Sequence, residues 1–177
     1  MPENFSFNLI SYYKILKNKG FKSVIDEIKD NLLFDIINGT STQLREGKSN
    51  LEFKHYSPGY TSLVHDSLKI LPIYFKKSTF VDFGSGKGKI TLIATKYNFK
   101  NIVGVEIKSN LVDIAKKNEL IFFSKYWNKK FKKNINFINC DAINYVFKGD
   151  ENVFFMFDPF PKEKLKKIIK NISKNKQ

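Results

Sequence analysis

Thr79-Phe80-Val81-Asp82-Phe83-Gly84-Ser85-Gly86-Lys87-Gly88-Lys89-Ile90-Thr91-Leu92-Ile93-Ala94 is the stretch that decides the fold. A short apolar run carries an acid near its end. Three glycines follow at every second position, and then an apolar-periodic segment begins. That order reads as strand, tight loop and helix start. Glycine permits positive φ and lets backbone approach a ligand closely. The loop's N–H groups and the positive end of the next helix favour an anion there. A nucleotide-like cofactor is the expectation.

The chain has 177 residues, for which one domain is the default. A hydrophobic content of 42% with 15% aromatic residues is enough to build a core. The single cysteine, Cys140, excludes a disulfide framework and a cysteine-based zinc site, and it reads as a small buried hydrophobe. No metal site is expected. The first residues carry no basic region of a signal peptide, and no window approaches the ~20 apolar residues of a membrane span. A cytoplasmic setting without a membrane partner is the expectation.

The formal charge is +14, yet Arg45 is the only arginine among 31 basic residues. Base readout and bidentate phosphate binding favour arginine. The lysines are spread along the whole chain and read mostly as solvated faces. A basic surface of this size still attracts polyanions, which keeps a nucleic-acid substrate among the readings.

Outward from the glycine loop, residues 1–38 show helical spacing, with a break at Gly20. Gly39-Thr40-Ser41-Thr42 reads as a loop. His55-Tyr56-Ser57-Pro58-Gly59-Tyr60-Thr61 reads as a structured turn. Thr61 or Ser62 is expected to cap the helix that carries Leu63, Val64, Leu68 and Leu71. His55 and His65 read as surface or packing residues. Strands are expected at Thr79–Phe83, Asn101–Ile107, Ile135–Cys140 and Val153–Phe157. Helices are expected over Ile90–Tyr97, from about Asn110 onward, and over Lys162–Ile172. Phe122–Phe131 is aromatic, basic and ambiguous. Strands alternating with helices imply right-handed crossovers and a parallel sheet.

Asp82, Glu106, Asp141 and Asp158 each stand at or just past the C-terminal end of an expected strand. In an open parallel sheet those ends form the ligand-binding rim. A phosphate-binding P-loop needs Gly, four residues, then Gly-Lys-Ser/Thr, and neither Gly86-Lys87 nor Gly88-Lys89 meets it. A dinucleotide site wants Gly-x-Gly-x-x-Gly, whereas Gly84, Gly86 and Gly88 are evenly spaced.

Four segments together resemble class I, Rossmann-like S-adenosylmethionine-dependent methyltransferases. Val81–Gly88 resembles their first motif and Val103-Gly104-Val105-Glu106 their second. Asn139-Cys140-Asp141-Ala142 resembles the adenine-contacting segment, and Phe157-Asp158-Pro159-Phe160 the motif after the fourth strand. The resemblance covers about Tyr56 to Ile172. It implies a doubly wound parallel sheet in the order 3-2-1-4, with residues 1–54 as an N-terminal helical segment and residues 55–177 as the cofactor-binding domain.

The resemblance also implies roles. Asp82, Gly84, Ser85, Gly86 and Gly88 would hold the methionine portion. Glu106 would accept from both ribose hydroxyls, since a carboxylate suits a vicinal diol. Asp141 would accept from the adenine amino group beside Ala142, with Ile107 on the ring face. Tyr56 would close over the cofactor. Asp158, Pro159 and Phe160 would face the methyl acceptor. They resemble the Asp/Asn-Pro-Pro-Tyr/Phe motif for planar amino nitrogens, but Phe160 stands where that motif has proline. A protein lysine amine, suggested by the Tyr56 region, and a nucleic-acid nitrogen are both implied acceptors.

The family's sheet has seven strands, and only four are expected here. Self-association, or a partner chain pairing with the exposed edge of the fourth strand, is therefore expected. A cofactor-binding module without turnover and a nicotinamide oxidoreductase are the other two readings.

Overall fold

Four short parallel strands build the sheet: β1 (Thr79–Phe83), β2 (Asn101–Glu106), β3 (Ile135–Asn139) and β4 (Asn152–Phe155). Their order is β3-β2-β1-β4, the order implied by the methyltransferase resemblance. The computed structural model describes residues 25, 30, 33–43, 59–148, 152–157 and 159–174. Most of the expected N-terminal helical pattern, His55, Tyr56 and Asp158 lie outside the described residues.

The helices are α1 (residues 33–38, with Ile25 and Asp30 also helical), α2 (Thr61–Lys69), α3 (Lys89–Ala94), α4 (Ser109–Ser124) and α5 (Lys162–Lys174). Side chains alternate across a strand. Phe80 and Ile102 therefore face one side, where Phe34, Val64, Leu68, Ile90, Leu92 and Phe122 pack on them. Val81, Phe83, Val103 and Val105 face the other side, where Ile168 of α5 covers them. Phe83 stacks on Phe154 with ring centroids 5.9 Å apart, and Tyr145 meets Phe83 edge-on. Phe80 on one face and Val81 and Phe83 on the other are fully buried, so this central strand is covered on both faces.

The register sets Asp82 beside Gly104, and Gly104 beside Phe137. The glycine is required there, because a Cβ on Gly104 would lie 2.8 Å from the Phe137 ring. Phe137 leans over Gly104 towards Gly88 and Ala115, which locks β3 and α4 against the glycine loop.

Several boundaries differ from the sequence reading. β2, β3 and β4 end at Glu106, Asn139 and Phe155, short of Ile107, Cys140 and Phe157. Each chain leaves the ladder where it turns into the rim. α3 stops at Ala94 and runs on only as turns. Tyr60, with no side-chain cap, precedes α2; Thr61 and Ser62 instead hydrogen-bond to Asp30. The ambiguous segment resolves into the end of α4 and a 3-10 helix over Tyr126–Phe131.

The lysines also depart from a wholly solvated reading. Lys87 and Lys89 are each only 1% exposed. Lys89 Nζ donates to the Asp30 carbonyl at 2.9 Å and lies 5.6 Å from the Phe34 ring centroid. Burial pulls its pKa down to about 8.

Among the described residues β4 is an edge strand, paired only with β1. No helix among them is long and apolar enough to cross a membrane.

Candidate cofactor site

The site is built from the turn that links β1 to α3. Gly84, Gly86 and Gly88 all have positive φ, at 78°, 53° and 84°. That backbone is strained for any residue with a Cβ. The N–H groups of Gly84 and Ser85 both donate to the Val105 carbonyl, at 2.8 and 3.0 Å. The loop is thereby folded back over the end of β2. The amide of Gly88 closes the turn on the Ser85 carbonyl at 2.9 Å.

Glu106 ties this loop to α4. Its Oε2 accepts from the Gly86 amide at 3.0 Å and its Oε1 from the Lys108 amide at 2.9 Å. A carboxylate has about four lone-pair sites, so each oxygen keeps one for a further donor. The residue is buried, which fixes where those oxygens point.

Asp82 lies deeper, at the end of β1. It accepts from the Thr91 hydroxyl at 3.1 Å and is fully buried. Burial raises its pKa to about 7; the Thr91 hydrogen bond lowers it and the nearby Glu106 charge raises it. A carboxyl raised on folding favours the native state fully below its ordinary pKa of 3.8, and that contribution is lost as pH rises through about 7. A cation bound nearby would shift the balance back to the carboxylate and expel the proton. The affinity for S-adenosylmethionine, a cationic ligand, is therefore expected to rise several-fold from about pH 6 to about pH 8, since each pKa unit is worth ~1.4 kcal/mol. Calorimetry at both values checks this, with Asp82→Asn expected to flatten the dependence. Equal affinity of the parent protein at the two pH values would refute it.

Asp141 stands just past β3. Its Oδ1 caps the short turn at Ala142–Asn144 by accepting from the Ile143 amide at 3.0 Å, and its Oδ2 pairs with Lys164 Nζ at 2.9 Å. The hydrogen bonds from Ile143 and Lys164 outweigh burial and keep its pKa low. Sequence reasoning did not anticipate Lys164, because its pairing crosses from α5 to the end of β3. Beside Asp141, Ala142 is buried and Ile107 is 37% exposed at the rim.

The segment after β4 folds onto the same loop. Pro159 lies so close to Gly84 that a Cβ there would be 2.5 Å from the proline Cβ, with Phe160 at 4.0 Å. Phe157 meets Tyr60 edge-on with centroids 5.7 Å apart. Pro159 and Phe160 thus reach the glycine loop, while Phe157 packs between Tyr60 and Gly59. Tyr56 and Asp158 are outside the described residues.

Two further residues were missed at the sequence level. Asn118 of α4 is buried, accepts from the Ser41 amide at 2.9 Å and donates to the Lys87 carbonyl at 3.0 Å. The carboxylate of Asp35 holds the adjoining turn by accepting from Thr40, Thr42 and Gln43. Neither belongs to a motif; each matters only because distant segments meet at it.

The match to a family model is decisive. Residues 36–176 match the model described as "Histone methylation protein DOT1". The chain belongs to the DOT1 family. This is a family of S-adenosylmethionine-dependent methyltransferases, and S-adenosylmethionine is its cofactor.

A solved structure agrees at the level of fold. A predicted N6-adenine-specific DNA methylase from Listeria monocytogenes is 10% identical with a TM-score of 0.54, over 78% of this chain and 45% of that one. The YcgJ protein of Bacillus subtilis is 16% identical over 64% and 45%, with a TM-score of 0.49. An RNA methyltransferase from Salinibacter ruber, solved with S-adenosyl-L-homocysteine, is 20% identical over 56% and 61%, with a TM-score of 0.43. The chain thus spans less than half the length of the first two. No curated protein matches it.

The residues present fit the cofactor. Glu106 keeps unused lone pairs at the end of β2, and a carboxylate of this kind can accept from a vicinal diol. Gly86 brings backbone without a Cβ beside the Glu106 carboxylate. Ser85 Oγ is buried without a hydrogen-bond partner among the described residues.

Proposed function

We propose that this chain transfers a methyl group from S-adenosylmethionine to the side-chain amine of a protein lysine. The cofactor supplies an electrophilic methyl group on a sulfonium. The Gly84–Gly88 loop and Asp82 hold its methionine portion, Glu106 takes the ribose hydroxyls, and Asp141, Ala142 and Ile107 receive the adenine. Tyr56 closes over it.

The observation that carries the lysine reading is the Phe160 ring beside the glycine loop, next to Pro159. Flat aromatic faces suit an alkyl stem ending in an amine, and they attract its cationic form. The amine must lose a proton before its lone pair can form the new C–N bond. Asp158 is assigned to accept that proton, the Pro159 carbonyl to orient the nitrogen, and Phe160 to stack on the stem. Positioning of this kind supplies much of the barrier reduction in a displacement. The family to which the chain belongs is described by protein methylation, which supports the same acceptor.

Replacing Asp158 by alanine is expected to leave S-adenosylhomocysteine affinity within about twofold and to lower transfer by ~100-fold or more, within the range for a general base. Labelled-methyl transfer into a cell lysate, followed by identification of the labelled species, reads both acceptor and turnover. Label recovered on nucleic acid would overturn the lysine reading. No label with intact cofactor binding would point instead to a cofactor-binding subunit.

A further inference from the structure

The 3-10 helix at Tyr126–Phe131 lies at the far end of α4 from the cofactor site, about 24 Å along a 16-residue helix. Its surroundings read Lys125-Tyr126-Trp127-Asn128-Lys129-Lys130-Phe131-Lys132-Lys133, with five lysines and no acid. In a 3-10 helix, side chains three apart stand in line. One row, Asn128 and Phe131, turns inward. Asn128 is buried and donates to Asn38 Oδ1 at 2.7 Å and to the Phe122 carbonyl at 3.1 Å, while Phe131 packs on the core. The other two rows are Tyr126 with Lys129 and Trp127 with Lys130.

These outward rows are open. Tyr126 is 86% exposed and Trp127 53%, and both lysines are exposed. Tyr126 and Trp127 are adjacent in the chain and both exposed, which sets them apart from a single scattered hydrophobe. Each row offers an aromatic face with a cation one turn further on. Lys130 Nζ lies 5.0 Å from the Phe131 centroid, at the edge of the platform. The scaffold beneath is held by the Asn128 hydrogen bonds and by Lys133, which donates to the Phe99 carbonyl at 2.9 Å.

We propose that this face is a docking platform for a single strand of nucleic acid. Two bases stack on Tyr126 and Trp127, and the adjoining phosphates lie against Lys129 and Lys130. A single strand is favoured over a duplex because only unpaired bases present their faces for stacking. Lysines without arginine suit backbone charge and not base readout, so the platform is sequence-tolerant. It is opposite the rim that holds the cofactor, so it anchors the protein without delivering the methyl acceptor. The proposal stands whichever acceptor is methylated.

Trp127 is the chain's only tryptophan and reports directly on the platform. Its fluorescence is titrated with an oligodeoxythymidine of about ten nucleotides, within known single-strand site sizes. The full chain is used without cofactor. Quenching is expected. Tyr126→Ala should weaken binding about tenfold, as expected for loss of one stacked base. Joint Lys129→Gln and Lys130→Gln should reduce the slope of log affinity against log salt by about 1.4, at ~0.7 per phosphate contact on a single strand. Far-UV circular dichroism and S-adenosylhomocysteine affinity should match the parent protein. Unchanged Trp127 emission at saturation would overturn the proposal. So would tighter binding of a duplex, or oligodeoxythymidine binding that Tyr126→Ala leaves unchanged and heparin matches.

Discussion

Gly84→Ala is expected to lower the stability of the domain by ~2–5 kcal/mol. Two separate penalties combine. At φ 78° any Cβ is strained, at about 1–2 kcal/mol. The new methyl would also sit 2.5 Å from the Pro159 Cβ, a contact that real structures do not tolerate. Forcing such overpacking costs about 1–3 kcal/mol. Pro159 is held by its own ring and has little freedom to retreat, so the segment after β4 must move. A melting temperature lower by roughly 4–20 °C follows, at ~2–4 °C per kcal/mol for a chain of this size. Methyl transfer should fall further than stability alone explains, because Pro159 and Phe160 are displaced from the glycine loop. Gly39→Ala is the matched control. It has φ 70°, but the Cβ would meet only the flexible end of Lys125 at 3.1 Å, so the strain appears without the clash. A Gly84→Ala protein melting within ~2 °C of the parent would show that the loop and the post-β4 segment are not packed as described.

Glu106→Ala should weaken S-adenosylhomocysteine binding by ~10- to 100-fold. Hydrogen bonds to a charged group are worth about 1.5–3 kcal/mol, and the ribose would lose its acceptor. A second effect acts in the same direction. The same carboxylate holds the Gly86 and Lys108 amides at 3.0 and 2.9 Å, so its removal loosens the loop from the start of α4 before any ligand arrives. Glu106→Gln separates the two. Its amide retains one acceptor oxygen and replaces the other with a donor, so a partial loss of affinity is expected. Calorimetry on folded variants measures both. Unchanged affinity in Glu106→Ala would remove the ribose assignment and leave Glu106 as a purely structural tie.

The even spacing of Gly84, Gly86 and Gly88 announces the loop because positive φ at alternate positions is a local property that only glycine meets cheaply. β1 and the parallel sheet are equally readable, since apolar runs ending on acids and alternating with helices leave few topologies, whereas the strand order comes from the family resemblance. Glu106 is legible as a rim acid for the same reason. The exact ends of β2, β3 and β4 are not, because where a strand leaves its ladder depends on what it meets at the rim.

Other features come only from tertiary contact. That Asp82 is sealed beneath the loop and raised to about 7 follows from burial, which no local motif reports. Asp141 reads as an adenine contact from its neighbours in sequence, yet its pairing with Lys164 joins residues 23 positions apart. Lys87 and Lys89 read as solvent-facing charge, and only the packing of α1 over the loop reveals Lys89 as a buried donor to Asp30. Asn118 carries no local signal, being one asparagine in an asparagine-rich chain; its 31-residue reach to Lys87 and 77-residue reach to Ser41 exist only in the fold. Residues 125–133 show their charge and aromatics in the sequence, but the 3-10 period that turns Asn128 inward and Tyr126 and Trp127 outward is set by anchoring to α1 and α4. Chain-local preferences, hydrophobic period and glycine geometry are written along the sequence. The environment of each charge is a sum over segments that are close only after folding.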